Sequence, residues 1–162
     1  MIYESFSLND TMTLAKDIAK KAKVGDIICL SGELGAGKTA FAKGFAQGLG
    51  ISDHISSPTF TLMQLYDHGR LPLYHFDLYR LAEEMTTSYH STDDKMRPIE
   101  QIDEWILDDI GFFEYLNSNG ICLIEWAEHA QHLIPSTAIW IRIRRVYDGS
   151  IAEKRTIHIC GL

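Results

Sequence analysis

The chain has 162 residues, of which 46% are hydrophobic, long enough for one well-buried domain and too short for two ordinary ones. Fifteen basic against 22 acidic side chains leave a net charge of −7, which argues against autonomous nucleic-acid binding because that needs a basic footprint. No apolar run approaches the roughly 20 residues of a membrane span, and the opening "MIYESFSLND" has neither the charged nor the apolar region of a secretory signal.

The first element is a helix over "LNDTMTLAKDIAKKAKVG", capped by Asn9 or Asp10, with Leu14, Ile18 and Ala22 recurring every four residues. "DIICLSG" reads as a short buried strand. Phe41, Phe45 and Leu49 then form a helical stripe that Gly50 can end. "TFTLMQLYD" and "LPLYHFDLYRL" are strand-like on either side of "HGR" and predict a hairpin. The stretch 84–98, "EMTTSYHSTDDKMRP", is polar, aperiodic and ends at Pro98, which marks it as an irregular surface insertion or a functional loop. "IEQIDEWILDDIGFFEYLNSNG" predicts a helix, "ICLIEW" a buried strand, and "TAIWIRIRRVY" with "KRTIHIC" a second hairpin around "DGS". Early alternation of strands and helices with hairpins later predicts a single three-layer α/β domain over 1–162 with a mixed, partly antiparallel sheet. Cys29, Cys122 and Cys160 each lie in an apolar segment, as buried reduced thiols of a cytosolic protein would.

Between the first strand and the second helix lies "GELGAGKT", in which Gly32, Gly37, Lys38 and Thr39 fit the phosphate-loop pattern. Glycines let backbone N–H groups close around anionic oxygens. Lys38 can reach the terminal phosphates, Thr39 can offer its hydroxyl to Mg²⁺, and the following helix directs its positive end at the same place. A metal-nucleotide site also needs an acid. Glu125 ends the apolar run Ile121–Ile124, and the carboxyl end of a central strand is where ligands bind in open α/β sheets.

A second acid, Asp77, sits between Phe76 and Leu78. Burying it needs a partner, so either Arg80 or Lys38 neutralises it or it works at the nucleotide. Ser57 and Thr59 in "SSPTF" are candidate hydroxyls near a γ-phosphate, or simply a proline turn that begins a strand. "EWAEHAQH" clusters Glu125, Glu128, His129 and His132 without a zinc-protease spacing and reads as a solvated helix face. Arg142 and Arg144 share one strand face, either solvated or shaped for an acidic partner or RNA.

Together "GELGAGKT", "SPTF", "HFDLYRL" and "LIEWAE", in this order, resemble the TsaE (YjeE) family of bacterial ATPases needed for threonylcarbamoyladenosine formation in tRNA. The resemblance covers roughly 9–82 and 115–146. It implies a small P-loop NTPase-like domain in the cytoplasm that hydrolyses ATP slowly alone. It also implies work with the TsaB and TsaD subunits, with tRNA met through that complex, and no membrane. By position it implies that Gly35, Ala36, Gly37, Lys38, Thr39 and Ala40 hold the phosphates and that Thr39 with Glu125 holds Mg²⁺. Asp77 and Thr59 would support hydrolysis, Trp126 would follow the metal ligand at the nucleotide, and Thr11 would meet the adenosine end. The 84–98 region is longer than the family usually shows. The chain lacks the guanine-reading N-K-x-D motif, so ATP is the expected nucleotide. The rival readings are a small-molecule kinase with Lys95 and Arg97 in a lid at 84–98, and a nucleotide-gated scaffold that does not hydrolyse.

Overall fold

Among the described residues seven strands pair into one sheet in the order β1-β7-β6-β2-β5-β4-β3. The computed structural model describes residues 1–88, 101–147 and 154–162. The elements in chain order are β1 (Ile2–Ser5), α1 (Leu8–Lys21), β2 (Ile27–Ser31), α2 (Lys38–Gly48), β3 (Met63–Tyr66), β4 (Leu73–Asp77) and α3 (Tyr79–Ser88). They continue with α4 (Glu104–Asp109), α5 (Phe112–Leu116), β5 (Ile121–Glu125), a 3₁₀ helix (Ala127–Leu133), β6 (Ile139–Arg145) and β7 (Arg155–Cys160). The central strands β6, β2, β5 and β4 run parallel, and the outer pairings β3–β4, β6–β7 and β7–β1 are antiparallel. This is the mixed α/β arrangement that the alternation predicted.

Strands β2 and β5 are buried at every position, as expected of central strands covered on both faces. Their alternate residues feed two cores. Ile28, Leu30, Ile121 and Leu123 pack with Ala15, Phe41 and Phe45 of α1 and α2 on one face. Cys29, Cys122 and Ile124 pack with Phe112, Leu107 and Leu116 on the other. Phe76 meets Phe112 edge to face at 5.2 Å, which ties β4 to α5. Helix α2 lies so close on α1 that a methyl group at Gly44 would stand 2.3 Å from the Met12 carbonyl oxygen.

The structure departs from the sequence reading in several places. Ser7, not Asn9 or Asp10, caps α1: its hydroxyl accepts from Asp10 N at 3.0 Å, while the Asp10 carboxylate accepts from Phe6 N at 3.0 Å. The short edge strand β1 has no counterpart among the expected elements. The expected strand over "LPLYHFDLYRL" stops at Asp77, whose Oδ1 accepts from Tyr79 N at 2.9 Å and turns the chain into α3. That helix runs to Ser88, so the beginning of the 84–98 stretch is helical. Its remainder from 89, and the "DGS" turn at 148–150, lie outside the described residues. The single helix expected over 99–120 is two, parted where Gly111 adopts φ 71°. "AEHAQHL" is a 3₁₀ helix, in which residues three apart eclipse, so His129 and His132 share a side and Glu128 and His132 do not. Cys29 and Cys122 are buried, but Cys160 is exposed at the end of β7.

Candidate functional site

Parallel pairing sets β2, β5 and β4 side by side with their carboxyl ends together. In that register Asp77 of β4 lies opposite Glu125 of β5, and Leu30 of β2 lies on the other side of Glu125. Both acids point to the face on which α2 begins. The phosphate loop leaves β2 at Gly32, where φ is 144° and any Cβ would stand 2.2 Å from the Ile143 carbonyl oxygen. Only glycine fits there. The loop then turns into α2 through Gly37 and aims the positive end of the helix at the acids.

The result is a cleft of about 570 Å³ lined by Gly35, Gly37, Lys38, Thr39 and Ala40 of the loop and helix, and by Ser57, Thr59, Asp77, Glu125 and Trp126 across from them. Lys38 is buried. Its ammonium donates to the carbonyl oxygens of Gly32 at 2.5 Å and Glu33 at 3.0 Å and sits 3.5 Å from the centre of the Trp126 ring. Burial lowers its pKa below the usual lysine value, against the opposing pull of Glu128, Glu125, Asp77 and Glu33. Trp126 is held at φ 60°, a costly conformation for a bulky residue, with its ring 4.9 Å from that of Tyr79.

Thr39 Oγ1 donates to Glu125 Oε2 at 3.1 Å, and the other carboxylate oxygen meets His75 Nε2 at 2.9 Å. A hydroxyl and a carboxylate oxygen side by side at a phosphate-binding loop form a hard-oxygen pair that suits Mg²⁺, which prefers one or two protein oxygens with phosphates and water completing its shell. Thr39 and Glu125 thus fit the ion by their donor chemistry. Among the described residues no cluster of three or more His, Cys, Asp or Glu side chains forms a metal cage, and "EWAEHAQH" supplies none.

Asp77 is buried and fully engaged. Its Oδ2 accepts from the hydroxyls of Ser57 and of Thr59, the latter at 2.8 Å, and Oδ1 accepts from Tyr79 N. The "SPTF" segment is therefore fastened to Asp77. Arg80 turns elsewhere, donating to the Phe60 carbonyl at 3.0 Å and standing 3.3 Å from Glu84, so it is not the partner expected for Asp77.

Two expected positions lie off the cleft wall. Thr11 is fully buried, its hydroxyl 2.8 Å from that of Ser5, and α1 turns Leu8 and Met12 to the cleft instead. Ala36 is also fully buried, and its N–H donates to Glu33 O at 3.1 Å within the loop. Sequence reasoning missed two others. His75 stands behind Glu125, and only the pairing of β4 with β5 brings them together. Glu128 accepts from Gly32 N at 3.3 Å and braces the start of the loop.

The chain is similar over most of its length to known proteins. The family model described as "Threonylcarbamoyl adenosine biosynthesis protein TsaE" matches residues 5–156. The tRNA threonylcarbamoyladenosine biosynthesis protein TsaE of Bacillus subtilis is 40% identical over 139 residues, 86% of this chain and 74% of that one. Its namesake in Treponema pallidum is 39% identical over 146 residues, 90% of this chain and 93% of that one. The crystal structure of Bacillus subtilis YdiB superposes with a TM-score of 0.69 at 34% identity, over 97% of this chain and 82% of that one. With its sequence matched nearly end to end and its fold shared with a solved relative, the chain belongs to the TsaE family.

Proposed function

We propose that this protein is a single-domain, Mg²⁺-dependent ATPase that serves threonylcarbamoyl modification of adenosine in tRNA, acting in the cytoplasm with TsaB and TsaD subunits. The observation that carries the reading is the convergence of Lys38, Thr39, Glu125 and Asp77 on one cleft at the N-terminus of α2. Lys38 and the loop N–H groups grip the phosphates, and Thr39 with Glu125 holds the ion. Bound there, Mg²⁺ neutralises charge on the phosphate oxygens. Asp77 keeps Ser57 and Thr59 facing the terminal phosphate, and Leu8 and Met12 offer an apolar wall to the nucleoside end. The Lys38 ammonium is satisfied by its own loop carbonyls and by Trp126, and a bound phosphate competes with these partners for it.

The reading of a partner-dependent enzyme rests on what surrounds the terminal phosphate. Among the described residues no arginine is part of the cleft lining: Arg80 is engaged with Phe60 and Glu84, and the Arg145 guanidinium stands beside the loop, 3.7 Å from where a Cβ on Gly35 would be. Phosphoryl transfer gains roughly 10³- to 10⁵-fold from a cation supplied at the transition state, often by a second protein. Two large apolar side chains are bare beside the cleft: Leu34 in the loop, 74% exposed, and Phe60 directly after Thr59, 83% exposed. They suit the docking of such a partner. Contact with tRNA is then through the assembled complex, as the net charge of −7 favours. Among the described residues no helix is long and apolar enough to cross a membrane.

Calorimetric titration with ATP and GTP in the presence and absence of Mg²⁺ tests the assignment. Binding of ATP that tightens with Mg²⁺ and exceeds that of GTP is expected. Equal affinity for the two, or no effect of the metal, would contradict it.

A further inference from the structure

Arg155 opens β7 between Ser5 of β1 and Arg145 of β6. Side chains alternate along a strand, so Arg155 projects to the same face as Ile157 and Ile159, into the layer occupied by α1 and α2. It is 1% exposed, an unusual place for a guanidinium. There its Nε donates to the Ala36 carbonyl oxygen at 2.9 Å. Its Nε and Cδ also lie 3.3 and 3.6 Å from where a Cβ on Gly37 would be.

We infer that Arg155 is a positioning residue of the phosphate loop, holding the Ala36–Gly37 peptide so that its N–H faces the bound phosphates. The inference rests on the reading of this loop as a nucleotide site. In a trans peptide the C=O and the following N–H point in opposite directions, and the protein has no cis peptide among the described residues. Arg155 takes the Ala36 oxygen from behind the loop, so the Gly37 N–H is turned toward the cleft that Gly37 lines. Ala36 is itself fully buried, so its carbonyl cannot turn to water, and the guanidinium supplies the partner it needs. The packing of Arg155 against Gly37 closes the space into which the peptide would otherwise flip.

The test uses ADP as the probe, with wild type, Arg155→Lys and Arg155→Met compared by calorimetry well below their unfolding temperatures. Arg155→Lys keeps the charge but has no donor at the Nε position. Each variant is expected to bind ADP about tenfold more weakly than wild type at equal folded fraction, the loss of one charged hydrogen bond. The amide resonance of Gly37, which should move strongly when ADP binds the wild type, should move less in both. For a chain that tolerates neither substitution, the wild type alone gives the answer. The Arg155 Nε–H proton should be protected from exchange and should shift on ADP addition. Variants with lowered stability but wild-type ADP affinity and a wild-type Gly37 shift would overturn the inference, as would an Arg155 Nε–H signal indifferent to ADP. Failure of the wild type to bind ADP would instead overturn the nucleotide reading beneath it.

Discussion

His75 Nε2 and Glu125 Oε1 stand 2.9 Å apart with both side chains buried, one on β4 and the other at the end of β5. This contact fixes one carboxylate oxygen and leaves the other to Thr39. Glu125→Ala and Glu125→Gln should therefore behave differently. The alanine strands a buried imidazole nitrogen and should cost about 1–3 kcal/mol of stability. The glutamine can keep the contacts to His75 and Thr39 while losing the charge. It should unfold near the wild-type temperature yet lose most of the Mg²⁺ dependence of nucleotide binding. Thermal unfolding and calorimetry with and without Mg²⁺ separate the two effects.

Asp77 accepts three hydrogen bonds, two from the side chains of Ser57 and Thr59 and one from Tyr79 N. Asp77→Asn weakens that hold on the "SPTF" segment without emptying the site. Turnover should fall by about 10- to 100-fold while ATP affinity changes by less than about threefold, since the lost interaction serves the transition state. Single-turnover hydrolysis compared with equilibrium binding checks this. An affinity loss as large as the rate loss would make Asp77 a ligand of the ground state.

Lys38 makes its contacts to the loop carbonyls and Trp126 at the expense of hydration. Its pKa is lowered by burial from 10.5, so between the folded and unfolded values the unfolded chain binds more protons. The contribution of Lys38 to stability is thus unfavourable at low and neutral pH, and it improves as pH rises from the folded pKa to 10.5. The nucleotide-free Lys38→Met variant lacks this dependence. Wild type should gain stability relative to the variant as pH rises toward that value, measured by thermal unfolding across alkaline pH. The same variant should bind ATP about 100-fold more weakly or worse, having lost a charged donor to the phosphates.

Much of this site could be read from residue order because phosphate chemistry constrains local sequence: the glycines, Lys38 and Thr39 are adjacent along the chain. Glu125 was legible for a different reason, the unbroken apolar run before it. Contacts set by strand pairing were not legible. His75 meets Glu125 only because β4 lies parallel to β5, and Arg155 reads as one more arginine of a hairpin until its alternation with Ile157 and Ile159 is given a face. The strand expected to continue past Asp77 failed because Leu78 extends the alternation of Tyr74 and Phe76 and also opens a helical stripe with Leu81 and Ala82, and the Asp77–Tyr79 turn decides for helix. Edge strand β1 was invisible because only Ser5 of its four residues is buried, so no apolar alternation marks it. The break between α4 and α5 did carry a signal, Gly111, but a glycine within a helical pattern is ambiguous until its φ is known.

The Trp126 ring, 3.5 Å from the Lys38 ammonium, should report nucleotide entry. Drawing Lys38 onto the phosphates removes the cation from the indole and changes its environment. Intrinsic fluorescence should change on ATP addition in wild type. The change should vanish in Trp126→Phe, although Trp105 and Trp140 remain. A signal that persists in Trp126→Phe would place the response elsewhere.

The central claim, a nucleotide cleft that needs a partner to hydrolyse well, is tested most directly by steady-state phosphate release from ATP as cognate TsaB and TsaD are titrated in. The account predicts slow release by the protein alone, rising by at least about tenfold and saturating at a defined ratio of partners to enzyme, with no response in Lys38→Met. Rapid release by the protein alone, unchanged by the partners, would contradict it, as would transfer of the phosphate to a small acceptor in place of water.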